Sequence, residues 1–328
     1  MKIHYTLDDS AARLPLTIRS ADGVWDRAAE LRSTPGIHLV ELITQHVLNT
    51  GATVLDELAH YFDAAAASES DPYALATCYA NRTMLEDLLD DLRDTRPGLI
   101  ALHEVAELFP MTYTQDIQFM IALTAVGYPA FGYVRTYKDS EGEQYHGMVV
   151  NLAQARPHLE QMLGYYLQDI LINVIRHGFF NHEGFLLVYA EYCENIERVP
   201  ETFAERLKDT LLSRGIAWYL SYRHNLRFYD ESLGLDENKL SAHVERYNTL
   251  MTDTRRKKSA DESAFDAWLQ QREPNDTSID VVGYHAARTV ATTYGDDGLR
   301  QAIDQGPDHF IDLYNSLGKF QLKTSARR

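Results

Sequence analysis

Over most of this 328-residue chain, apolar residues recur with the period of a helix. The stretch "GIHLVELITQHVLNT" places Leu39, Leu42, Ile43, Val47 and Leu48 on one stripe, and Gly51 is the expected stop. "GATVLDELAHYFDAAAA" and "DPYALATCYANRTMLEDLLDDLRD" continue the helical period. In the second, Asp71 is the expected cap, Pro72 sits in the first turn, and the Ala/Ser/Asp run from Ala64 to Asp71 forms a connector. Between Met111 and Leu152 the pattern changes. "DIQFMIALTAV", "AFGYVRTYK" and "QYHGMVVNL" are rich in Val, Ile, Phe and Tyr and are separated by turn residues, which predicts three strands with the last two as a hairpin. From Pro157 the helical period returns over 157–181, about 185–197, 201–224, 236–271, 278–294 and 296–316. The expected fold is α+β and mostly helical. A helical N-terminal region (1–110) precedes a second region (111–328), in which a small three- to four-stranded sheet leads into a long helix and a helical C-terminal lobe.

Composition narrows the partners. With 45% hydrophobic and 24% charged residues, the chain has an ordinary globular balance. A formal charge of −17 repels phosphate backbones and anionic lipid, so neither nucleic acid nor membrane is an expected partner. The compact basic cluster Arg255-Arg256-Lys257-Lys258 is read as a solvated bend. Two distant cysteines, Cys78 and Cys193, make no disulfide framework. The start "MKIHYTLDDSAARLP" has no apolar signal core, and "MIALTAVGYPAFGYV" is too short and too interrupted to span a bilayer. A cytoplasmic location is expected.

The candidate chemistry centres on "NVIRHGFFNHEGF", residues 173–185. A zinc helix of the H-E-x-x-H type needs two imidazoles four residues apart, a glutamate beside the first and a third ligand from elsewhere. His177 and His182 are five apart, which on a regular helix splays them by about 140°. They converge only on a special backbone. Taking His177 as the second histidine of such a motif places Asn173 at the first position and Val174 at the position of the general base.

In that frame the chain resembles the gluzincin-like, H-E-x-x-H-type zinc metallopeptidases. Three features carry the resemblance: the strand-rich 116–152 leading into "LEQMLGYYLQDILINVIRHGFFN"; "LLSRGIAWYLSYRH", similar to a later helix of the form E-G-I-A-x-Y; and "VVGYHAARTVATTYGDDGLRQAIDQGPDHFIDLYN" with its G-Y, Y-G and G-P-x-x-F landmarks. The resemblance covers roughly residues 110–316. It implies a zincin-like fold and a cleft lined by Asn173, His177, Arg214 and Tyr284. It also implies a degenerate cage: the first ligand is Asn173, the base is Val174, the second ligand His177 is kept, and the third ligand is Arg214. Valine accepts no proton and arginine repels a cation. The expectation is therefore a metallopeptidase-like protein that has lost zinc-dependent hydrolysis, binds no cofactor, and keeps a cleft for a peptide, a protein segment or a small molecule.

Two alternatives stand beside it, each with zinc as cofactor and retained hydrolysis. One uses His177, His182 and Glu183, with a downstream carboxylate such as Glu191 or Glu194. The other uses His103, Glu104 and Glu107 of "LIALHEVAELF". His182 and Glu183 otherwise read as a helix end and its cap. Arg214, Arg223, His224 and Arg227 read as a charge network facing Asp230, Glu231 or the acids of 191–197, with Arg214 alternatively anchoring a carboxylate. There is no G-x-S-x-G elbow and no Walker-type loop.

Overall fold

The computed structural model describes the chain except residues 64–70, 96, 129–131, 139–143, 164–167, 225–235, 255–260, 273–276 and 325–328. The connector at 64–70, the basic cluster at 255–258, the hairpin turn at 139–143, and Arg227, Asp230 and Glu231 lie outside the described residues. The fold is α+β and mostly helical, with one small sheet among the described residues. No helix among the described residues is long and apolar enough to cross a membrane.

The chain forms two compact units. One comprises 2–99 and 116–175; the other comprises Met1, 100–115 and 176–328. This differs from a division at 110, and the reason is a strand to which the sequence analysis assigned no element. β1 (Lys2–Asp8) pairs in parallel with β2 (Asp116–Thr124) in the register Ile3↔Ile117 and Tyr5↔Phe119, which ties the N-terminus to the sheet. β2 pairs in parallel with β4 (Gln144–Asn151), and β4 pairs antiparallel with β3 (Gly132–Lys138), so the order is β1-β2-β4-β3. The expected hairpin is β3–β4, with Gly132 opposite Val150. β2 is buried along its second half on both faces, as an inner strand requires.

The Pro35–Leu48 helix packs on this sheet. A Cβ on Gly147 of β4 would meet Leu39 at 2.5 Å, and one on Gly36 would meet Asp8 at 2.7 Å, so both glycines allow the close approach. The inward stripe is Ile37, Leu39, Val40 and Ile43, whereas Val47 and Leu48 are exposed. The helix ends at Asn49, left-handed at φ 51, two residues before the expected glycine. The helix after the connector is Leu75–Ala80, with left-handed Ala74 at its N-cap and Pro72 in the turn before it, so Asp71 is not the cap residue itself. Its carboxylate still accepts from the backbone N–H groups of Leu75 and Ala76 at 2.8 and 2.9 Å.

The other unit is helical. Phe203–Tyr222 opens with a capping box at Thr202 and Glu205 and runs against Ser278–Gln305. Their backbones touch where Gly215 meets Gly283: a Cβ on Gly283 would lie 2.5 Å from the Leu211 carbonyl oxygen and 2.8 Å from the Gly215 Cα. The expected break near 294–296 is a kink at Gly295, whose φ is +66. The next break is at Gly306 (φ +93), followed by Pro307 at the start of Pro307–Leu317 and by buried Phe310. The G-Y, Y-G and G-P-x-x-F landmarks thus have local physical roles as a close helix contact, a kink and a helix restart. The expected helix over 236–271 is two, Glu237–Asp253 and Glu262–Arg272.

Candidate functional site

Of the expected long helix over 157–181, Ala155–Leu163 and Gln168–Asn173 are described as α-helix, and the run that opens with the second does not end before His182. Its last part, Val174–Asn181, is a π-helix that passes directly into the α-helix His182–Asn195. His182 and Glu183 therefore sit inside a continuous helical run rather than at an end and its cap. In a π-helix hydrogen bonds run i→i+5, so residues five apart return to one face. This is the special backbone that brings His177 and His182 to the same side. Both face the end of Phe203–Tyr222, but one turn apart and among different neighbours.

His177 faces a polar centre. Its ring stacks on His224 with centroids 4.6 Å apart, and its Nδ1 faces the side-chain nitrogen of Asn181 at 3.4 Å. That Asn181 nitrogen also donates to Glu104 Oε2 at 3.1 Å. Arg223 donates to the same oxygen at 2.9 Å and reaches Asp296 at 3.6 Å, while Arg176 approaches Glu104 Oε1 at 3.4 Å. His224 Nε2 lies 3.9 Å from Glu104 Oε2. Glu104 and Arg223 are 16% and 15% exposed and His224 is 53% exposed, so the centre opens to solvent on the His224 side.

Electrostatics fix the protonation states. Burial, then the positive charge of Arg176, pushes the His177 pKa down to about 4, so the ring is neutral at pH 7. Burial works against the Glu104 carboxylate, but the Asn181 hydrogen bond and the Arg223 charge outweigh it and hold its pKa below the usual range. The oxygen of Asn181 and the Nε atoms of Arg176 and Arg223 are buried without a hydrogen-bond partner.

His182 faces a packed centre instead. Its Nδ1 lies 3.2 Å from Ser221 Oγ, and its ring meets Trp218 edge-on at 4.5 Å. Burial, then Arg214, lowers its pKa to about 4 as well. Burial raises the Glu183 carboxyl, with Arg214 opposing. Arg214 is 48% exposed and pairs with Asp280 at 3.4 Å.

The sequence-predicted residues thus fall into separate places. His177 lies with Glu104 and His224. His182, Glu183 and Arg214 form a second group, so the set His177/His182/Glu183 does not gather round one point. Arg214 and Arg223 pair with Asp280, Glu104 and Asp296, not with the acids of 191–197. The set His103/Glu104/Glu107 does not gather either: His103 and Glu107 form an exposed pair at 3.3 Å, while Glu104 turns to Arg223. Asn173 is exposed and belongs to the other unit.

Tyr284, 1% exposed, lines a cavity of about 420 Å³ together with Leu240, His285, Arg288, Lys319 and Phe320. Two acids at its edge are engaged. Asp236 caps Glu237–Asp253 by accepting from the Lys239 backbone at 2.9 Å, and Glu237 pairs with Lys319. His285 Nδ1 is 3.3 Å from the Tyr314 hydroxyl.

Sequence reasoning passed over Asn181 and Arg176. An asparagine four residues after a histidine carries no sequence signal, and its role shows only once Glu104 is beside it. Compared with known proteins, the chain matches no family model, no curated protein and no solved structure.

Proposed function

We propose that this chain is a metallopeptidase-like binding protein that does not run the zinc hydrolysis of that fold type. Its ligand site is the cavity at Tyr284, which takes a peptide end or small molecule with an apolar body and a carboxylate. The cavity carries the reading: about 420 Å³ suits a ligand of dipeptide size. Leu240, Tyr284 and Phe320 offer apolar surface, and Arg288, which also has a partner within the chain, lines it with a guanidinium, a group that matches a carboxylate. The loss of hydrolysis rests on Val174, which accepts no proton where the resemblance places the base, and on Arg214, which is held by Asp280.

Calorimetry with N-acetyl-leucyl-phenylalanine and with its C-terminal amide tests this. The acid should bind, the amide should bind at least tenfold more weakly, and Arg288→Ala should erase the difference, with the peptide recovered intact by mass spectrometry. Absence of binding, equal binding of acid and amide, or cleavage of the peptide would refute the proposal.

A further inference from the structure

Glu104, His177 and His224 form the one group of three potential metal ligands among the described residues, with one donor atom from each lying within 4.8 Å of the others. Two imidazoles and a carboxylate are the donor set of zinc and related transition metals, not of magnesium or calcium. The three side chains come from three separate segments: Pro97–Ala106, the π-helix Val174–Asn181, and the turn after Phe203–Tyr222.

A second, independent feature points into the same place. The side-chain nitrogen of Asn181 lies against Glu104 Oε2, His177 Nδ1 and the Leu220 carbonyl oxygen at 3.1, 3.4 and 3.5 Å. Asn181 is fully buried, and its oxygen has no partner. That oxygen is the unsatisfied group of the centre, and the amide nitrogen is the atom that stands among the donors. Turning the amide over presents its oxygen as a fourth donor.

The arginines do not close this site. A carboxylate has two oxygens and about four lone-pair directions; Arg176 approaches Oε1 and Arg223 holds Oε2, and a metal takes the direction on Oε2 that the Asn181 N–H occupies. Arg223 also keeps Asp296. Such outer partners fix the direction of a ligating carboxylate. Tetrahedral zinc with bonds of about 2.1 Å needs its donors about 3.4 Å apart. The contraction falls to His224, which is exposed and lies beyond the helix end.

We propose that Glu104, His177 and His224, completed by the amide oxygen of Asn181, form a binding site for one divalent transition metal of the zinc and cobalt(II) kind. This departs from the metal-free expectation drawn from the sequence. It uses none of the cavity residues, so either proposal can fail alone.

The test uses full-length protein without a polyhistidine tag, stripped with a chelator and titrated with zinc and with cobalt(II). One equivalent should bind, cobalt(II) should develop visible absorption, and chelator should lower the melting temperature of the loaded protein. His224→Ala, at an exposed position, should keep the apo melting temperature and lose at least tenfold in zinc affinity. Glu104→Gln should lose as much, while His182→Ala should bind as the native protein does. No stoichiometric binding, or binding that His224→Ala and Glu104→Gln leave unchanged, would overturn the assignment.

Discussion

His177 and His182 stand one turn apart on the same helical face, and burial pushes both to about pKa 4. Their surroundings differ in kind. Around His182 the helices are locked: Ser221 and Trp218 close on the ring, Arg214 pairs with Asp280, and the backbones meet at Gly215 and Gly283. Around His177 lie charged side chains, a buried amide with a spare oxygen, and an opening at His224. A histidine held neutral is therefore not in itself a sign of function. Packing accounts for the first ring. The second sits among more donors and acceptors than packing needs, and a depressed pKa alone does not tell the two apart.

The sharpest way to break the packed side is Gly283→Val. Its Cβ would press on the Leu211 carbonyl and the Gly215 Cα, both backbone atoms that cannot yield without parting the helices. The expected cost is about 3 kcal/mol. Denaturant titration should show a lower midpoint, and an unchanged midpoint would mean the helices part easily.

Next in size is His182→Gln, which removes a wedged ring at an expected cost of about 2 kcal/mol at pH 7. It also isolates a pH effect. The folded pKa lies below the unfolded value of 6.5, so the unfolded chain takes up the proton first. The stability due to neutral His182 is whole above pH 6.5 and drains away as pH falls towards about 4. Glu183 and Asp280 shift upward and act in the opposite sense, so the effect is read as the native-minus-variant difference. That difference should shrink on acidification; a constant difference would show that the ring titrates freely.

The smallest effect belongs to the polar side. His177→Ala should cost no more than about 1 kcal/mol in the apo protein, because Glu104 keeps Arg223 and Asn181. A loss exceeding that of His182→Gln would reverse the comparison and make the His177 centre the structural one.

Part of the candidate site was legible beforehand. His177 stands out by its place in the motif, whereas Tyr284 lines a cavity with Leu240, His285 and Arg288 and not the expected cleft with Asn173, His177 and Arg214. Glu104 was noticed beside His103 and Glu107, because a motif is sought among near neighbours, whereas its partner Asn181 lies 77 residues away. Likewise the expected stripe of Pro35–Leu48 runs on to Val47 and Leu48, which are exposed, since period alone does not say where the sheet stops covering a helix.

By itself the sequence determined what local physics can settle. Hydrophobic period set the helices and the β3–β4 hairpin, and backbone freedom set the break at Gly295, whereas the break at Gly306–Pro307 falls inside the expected helix over 296–316. Only the tertiary structure decided that β1 joins β2 across 114 residues. It alone decided that a π-helix turns two histidines to one face, and that Glu104 goes to one of them while Arg214 goes to the other. Period and propensity act over a few residues, whereas the partner of a charged side chain depends on which distant helix packs against it.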